Sequence, residues 1–174
     1  MRRMHHILLP LLAALPARAE PPAPQAVAPL VARVTEAFFQ AVADQDQDLQ
    51  RAFFAPDLAR IATPERWSEQ RALIEARIGQ PLAYTPHKVT WYPQNNLYVA
   101  VDFSTEIEPD TTFVCGTVIW ELPTTATIGL VRLEENIVET DILENLSQEA
   151  RAQTLTNWFC PPAIIERLLA LPKP

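Results

Sequence analysis

His87, Tyr98 and Asp102 are the side chains in this chain best suited to moving a proton, and no second histidine or carboxylate stands at a spacing that completes a site around them. Tyr98 and Asp102 fall on one face of an alternating run. Its other face carries Leu97, Val99, Val101 and Phe103, which must meet the core, so the two polar residues are expected to look away from it. His87, beside Lys88 at the start of a strand, reads as an exposed loop histidine. Glu106, Glu108 and Asp110 read as a solvated, strand-repelling edge. Only three glycines are present, Gly79, Gly116 and Gly129, which excludes phosphate loops, dinucleotide fingerprints and nucleophile elbows. Asp44, Asp46 and Asp48 imitate the opening of a calcium loop, but Leu49 replaces its glycine and Ala55 its bidentate glutamate, so a capping turn is expected there. His5 and His6 lie in the N-terminal leader, leaving His87 without a metal-binding companion. No catalytic set, metal or cofactor is therefore expected.

The aromatic residues offer a second kind of chemistry. Phe38, Trp67, Trp91 and Trp120 are candidates to line an apolar pocket, although large aromatics more often close a core. Cys115 and Cys160, 45 positions apart, are expected to pair. Closing such a loop is worth about 4 kcal/mol in the chain-entropy account. Two buried free thiols are the alternative. A redox pair fits less well, because the cysteines are distant and Cys160 precedes Pro161-Pro162.

An oxidising compartment follows from the N-terminus. Arg2 and Arg3 precede an apolar stretch from Ile7 to Leu15, too short to span a bilayer, and Ala17-Arg18-Ala19 offers small residues for cleavage after Ala19. With no cysteine at that junction, the mature chain is expected to be periplasmic or secreted without a lipid or membrane anchor. Losing Arg2, Arg3 and Arg18 moves the formal charge from −7 to −10. So acidic a chain lacks the basic footprint that nucleic acid requires.

These residues must be held by elements legible from periodicity. Residues 20–29 hold four prolines and read as an extended spacer. Leu30 to Ala43 has one apolar helical face; a second helical run holds Leu49, Ala52 and Phe53 and stops at Pro56. Thr63-Pro64-Glu65 opens a third helix that closes at Gly79. The period then drops to two. Strands are expected over Val89–Tyr92, Leu97–Ile107, Phe113–Leu122, Thr127–Leu133 and Ile137–Leu143, the last two joined by a Glu134-Glu135-Asn136 hairpin loop. Phe113 to Leu122 is apolar on both faces, which predicts either a dimer contact or cover from the tail. Helices over Gln148–Phe159 and Ala163–Leu171 complete the chain.

Helices followed by a meander define an α+β fold: N-terminal helices packed on a curved antiparallel sheet, with a C-terminal helical tail. The division expected is a signal over 1–19, a spacer over 20–29, one domain over 30–145 and a tail over 146–174. Ala37-Phe38-Phe39-Gln40-Ala41-Val42, the Asp46-x-Asp48-Leu49 turn, Phe53-Phe54-Ala55-Pro56-Asp57-Leu58, the span from Trp67 to Gly79 with Arg71 and Arg77, and Tyr98 to Phe103 together resemble the nuclear-transport-factor-2-like superfamily, notably its exported bacterial members. The resemblance covers about Leu30 to Leu143 and implies a cone whose mouth can hold an apolar ligand. It also implies a choice among isomerases, lyases and non-enzymatic binding modules, and dimerisation through the outer sheet face. Fold alone does not choose. The expectation is a non-catalytic envelope binding or accessory domain for an apolar small molecule or an envelope protein; a small lyase or isomerase with its site in the cone is the alternative.

Overall fold

Pro24 supplies a fixed φ at the first position of α1 (Pro24–Ala43), and Val27, Val31, Phe38, Phe39 and Val42 recur along its buried side. The computed structural model describes residues 22–79, 83–93, 96–106, 112–124 and 126–170. The leader over 1–19 lies outside them. The spacer expectation needs correction, because residues 24–29 belong to α1. Pro29, the sixth helical residue, removes one hydrogen bond of the ladder, and burial of Val27 and Val31 at 1% and 2% exposure offsets that loss. Among the described residues α1 is the one helix long and apolar enough to cross a membrane by composition; here its apolar side forms the core.

A short α2 (Gln47–Ala52) is capped by Asp46, whose carboxylate accepts from the Leu49 N–H, and α3 (Pro56–Ile61) follows where no helix was expected. The third expected helix is α4 (Pro64–Ile78), capped by the Thr63 hydroxyl and ended by Gly79 at φ 73°.

Four strands follow: β1 (Ala83–Pro93), β2 (Leu97–Glu106), β3 (Thr112–Leu122) and β4 (Gly129–Glu139), paired in chain order and antiparallel throughout. The expected hairpin at 134–136 does not form. Instead β4 pairs with β3 from Gly129 to Glu139, because Glu135, which reads as a loop residue, is neutralised on the inner face by Arg71 of α4. The chain beyond Glu139 turns into α5 (Thr140–Glu144), so Ile137–Leu143 is only partly strand. Then come α6 (Gln148–Asn157), capped by Ser147, and α7 (Pro162–Leu169).

The sheet carries a core on each face. On the inner side Leu97, Val99, Val101, Phe103, Val114, Val118, Trp120 and Leu122 pack against α1. On the outer side Phe113, Cys115 and Val138 meet Leu143, Leu155, Cys160, Ile164 and Leu168. The two-faced apolar character of β3 is thus met by the tail at this end. The Cys115–Cys160 disulfide links strand to tail. β4 is shielded at its start by backbone bonds from Leu130 to Phe53 and Ala55, whereas β1 forms the other edge.

Candidate binding groove

Most of the aromatic residues singled out in the sequence are structural. Phe38 and Trp120 are fully buried, and the Trp120 indole donates to the Thr35 hydroxyl at 2.9 Å. Trp67 is 3% exposed and donates to Gln50 at 2.8 Å, with Phe54 edge-on at 4.9 Å. A buried aromatic donor needs such a partner. Trp91 alone of the four lines an opening.

That opening is a groove of about 830 Å3 between α1 and β1, within the size range of small-molecule sites. Helical spacing sends Ala28, Val31, Ala32, Thr35, Glu36, Phe39, Gln40 and Ala43 toward it at successive turns. Tyr84, Pro86, Val89 and Trp91 of β1 form the opposite wall, with Val101 of β2 behind. It exists because α1 presents the small residues Ala28 and Ala32 to this part of the sheet. Val89 stays 45% exposed as a result.

Tyr84, which went unnoticed in the sequence, leads from the groove to a buried polar cluster. Its ring stacks on Phe39 at 4.7 Å, and its hydroxyl reaches Glu135 Oε1 at 3.4 Å. Glu135 Oε2 accepts from Arg71 Nη1, the two side chains being 3% and 1% exposed. Burial pushes the Tyr84 hydroxyl well above its ordinary pKa, and Glu135 adds to the rise. Arg71 is raised as well: desolvation opposes its charge, but Glu135 and Tyr84 outweigh it. Gly116, opposite Glu135 in the register, lets β3 lie close to β4 and the Phe103 ring: a Cβ there would stand 2.9 Å from that ring and collide with the Glu134 carbonyl. Arg71 stood out in the sequence only within the family resemblance, and its partner was hidden by the charged composition of Glu134-Glu135.

His87 occupies an irregularity of β1, between Pro86 paired with Phe103 and Lys88 paired with Asp102. It is among the residues that line the groove, and its imidazole Nε2 shares a 2.7 Å hydrogen bond with Ser104 Oγ, on the outer sheet face. Burial lowers the His87 pKa, and Asp102 counters that. Burial raises Asp102, against the Thr117 hydrogen bond, Lys88 and His87. Serine, histidine and aspartate thus meet, but not as a nucleophilic set: Ser104 is 4% exposed, and Asp102 acts on the imidazole through charge while its hydrogen bond goes to Thr117. Tyr98, on the same face, donates to Glu121 at 3.0 Å, and that bond raises its pKa.

Asp102 also lines a shallow outer cleft of about 420 Å3 with Lys88, Arg132 and Glu134, where charges of both signs alternate. Arg132 and Glu134 form an ion pair. No group of three or more metal-ligating side chains occurs among the described residues. No protein-family model, curated protein or solved structure matches this chain.

Proposed function

We propose that the chain is an exported, non-catalytic binding domain of the nuclear-transport-factor-2-like kind, which holds an apolar small molecule in the groove between α1 and β1. The observation that carries this reading is the groove itself: a preformed concavity of about 830 Å3 walled by Val31, Phe39, Val89, Trp91 and Val101. Helices laid on one face of a curved antiparallel sheet support the family resemblance. The Cys115–Cys160 disulfide is compatible with export.

Catalysis is disfavoured because the buried carboxylate, Glu135, is committed to Arg71, and the carboxylate that does line the groove, Glu36, is exposed and lacks a desolvating pocket. A small molecule fits better than a docking strand. The edge of β1 is blunted by Pro86, Pro93, Lys88 and the irregularity at His87, each of which interrupts or repels an added strand.

Titrating the purified, oxidised protein with the apolar fluorophore N-phenylnaphthylamine tests the reading. Saturable binding is expected, and Ala32→Trp, which fills the groove from an exposed helix position, should weaken it at least about tenfold. Absence of saturation, or an unchanged affinity in Ala32→Trp, refutes it. The denatured, non-reduced mass of protein recovered from the cell envelope checks export: loss of residues 1–19 is expected, and an intact leader contradicts it.

A further inference from the structure

We propose that the occupant of this groove is a single-chain amphiphile with a cationic head, its tail beside Trp91 and its head at the C-terminal end of α1. The proposal rests on the groove being the binding site, and it specifies the ligand and its direction.

Shape comes first. Phe39, late in α1, stacks on Tyr84, early in β1, while Thr35, one turn earlier, accepts from Trp120, which is level with Trp91 across Val99, so helix and strand run in opposite directions along the two walls. The lining stretches from Ala28 to Ala43 on one side and from Ala83 to Trp91 on the other. At the rises of helix and strand these spans are roughly 22 and 26 Å. A volume of about 830 Å3 drawn out along walls of that length is an elongated groove rather than a round cavity, the shape an extended chain fills.

Polarity comes next. One end is walled by Ala28, Val31, Ala32, Val89 and Trp91, apolar surface for a tail on which the Trp91 indole N–H is the single side-chain donor. Gln40 and Tyr84 lie toward the other end, and Glu36 stands midway along the helical wall, one turn before Gln40. No lysine or arginine lines the groove, and Arg33 on the same helix is exposed outside the lining.

Charge decides the head group. The head end coincides with the C-terminus of α1, whose last turn holds no basic residue; the Gln40, Ala41 and Val42 carbonyls already accept bonds from the turn that follows, so the negative charge there comes from carboxylates. Asp44 caps that terminus, Asp46 and Asp48 follow at the start of α2, and Gln45 donates to Glu75, which brings a further carboxylate to the same turn. With Glu36 inside the groove, these groups attract a cation and repel a carboxylate or phosphate.

Three probes that share one dodecyl chain separate head from tail: dodecyltrimethylammonium, dodecyl maltoside and dodecanoate, each below its micelle concentration, titrated by calorimetry into the oxidised protein. The cation is expected to bind about tenfold more tightly than the anion, with the neutral probe between them. The gap should shrink with added salt and fall roughly two- to fivefold in Glu36→Gln, an exposed position whose change leaves the fold intact. Equal or tighter binding of dodecanoate, or a cation–anion ratio that Glu36→Gln and salt leave unchanged, overturns the head-group assignment while the groove remains a site. Failure of all three probes to saturate removes the site, and the assignment with it.

Discussion

Arg71→Met should cost about 3–5 kcal/mol of stability, because it strands the Glu135 carboxylate in the interior. The magnitude follows from burial. Both partners are nearly inaccessible, at 1% and 3%, and once Arg71 is gone the Tyr84 hydroxyl, 3.4 Å away, is a weak partner for the charge. Arg71 also carries a cost of its own, since its Nε is buried without a hydrogen-bond partner and an unmet donor costs about 1–3 kcal/mol. Replacing the pair together, as Arg71→Met with Glu135→Leu, removes the charge, its counter-charge and the orphaned donor. The Tyr84 hydroxyl loses its acceptor, at about 1 kcal/mol. The double variant is therefore expected within about 1 kcal/mol of the parent or above it, far from the sum of two single losses. Urea unfolding followed by tryptophan fluorescence reads this directly. At a slope of about 2 kcal/mol/M the single variant should lose about 2 M in midpoint. A single variant that loses less than about 1 kcal/mol, or a double variant as poor as the single, refutes the idea that Glu135 is a buried charge held by Arg71.

Reducing the Cys115–Cys160 disulfide, which closes a 45-residue separation, should cost about 4 kcal/mol; if oxidised and reduced chains share one unfolding midpoint, the loop-closure account is wrong. Phe159 stands at φ 61° just after α6, in a Schellman turn whose Cys160 N–H bonds the Leu155 carbonyl at 3.0 Å. Phe159→Gly should therefore be about 1 kcal/mol more stable than Phe159→Ala, which loses the same ring but keeps the strained Cβ, and equal stability of the two counts against the strain. Burial depresses His87, so its contribution to stability is present above the unfolded value of 6.5 and declines as pH falls through the lower folded pKa. A ring titration by NMR with its midpoint at or above 6.5 contradicts this. Asp102 is raised, so the opposite sign holds: stability declines as pH rises from 3.8 through the folded pKa, and Asp102→Asn should abolish that decline.

Where the chain obeyed one periodicity, the fold was legible. The run from Leu97 alternates cleanly, and β2 follows it; Thr63, Pro64 and Gly79 bound α4 where capping chemistry places them. The α+β arrangement was readable for the same reason, and the cysteine pairing from a count of two in a chain read as exported. Reading failed where a long-range contact reversed a local preference. Glu135 looks like a loop residue until Arg71, 64 positions earlier, neutralises it, and Pro24 and Pro29 look like a spacer until Val27 and Val31 are buried. The groove was least legible of all. Of the aromatics considered, Trp91 lines it and Phe38, Trp67 and Trp120 do not, a distinction that depends on how α1 lies over the sheet. Tyr84 was missed because Pro86 and His87 break the alternation of β1 on its C-terminal side.

The position of the groove follows from how the sheet divides its cover. The inner faces of β2 and β3 lie under α1, and one end of the outer face lies under α5 to α7, stapled by the disulfide. Among the described residues, two concave areas of the sheet contrast in what they leave open. The outer cleft is lined by Lys88, Asp102, Arg132 and Glu134, whose opposite charges balance and whose exposure to water costs little. The inner groove instead leaves Val89 and part of Trp91 in water beside the small residues of α1, and open apolar surface forgoes about 25 cal/mol for every Å2 that burial would recover. Larger side chains at Ala28 and Ala32, on a helix already long enough to reach across, could fill that space and recover the energy. A chain that keeps alanine there has unfilled apolar area at one site and satisfied polar area at the other, and a ligand gains most by covering the first.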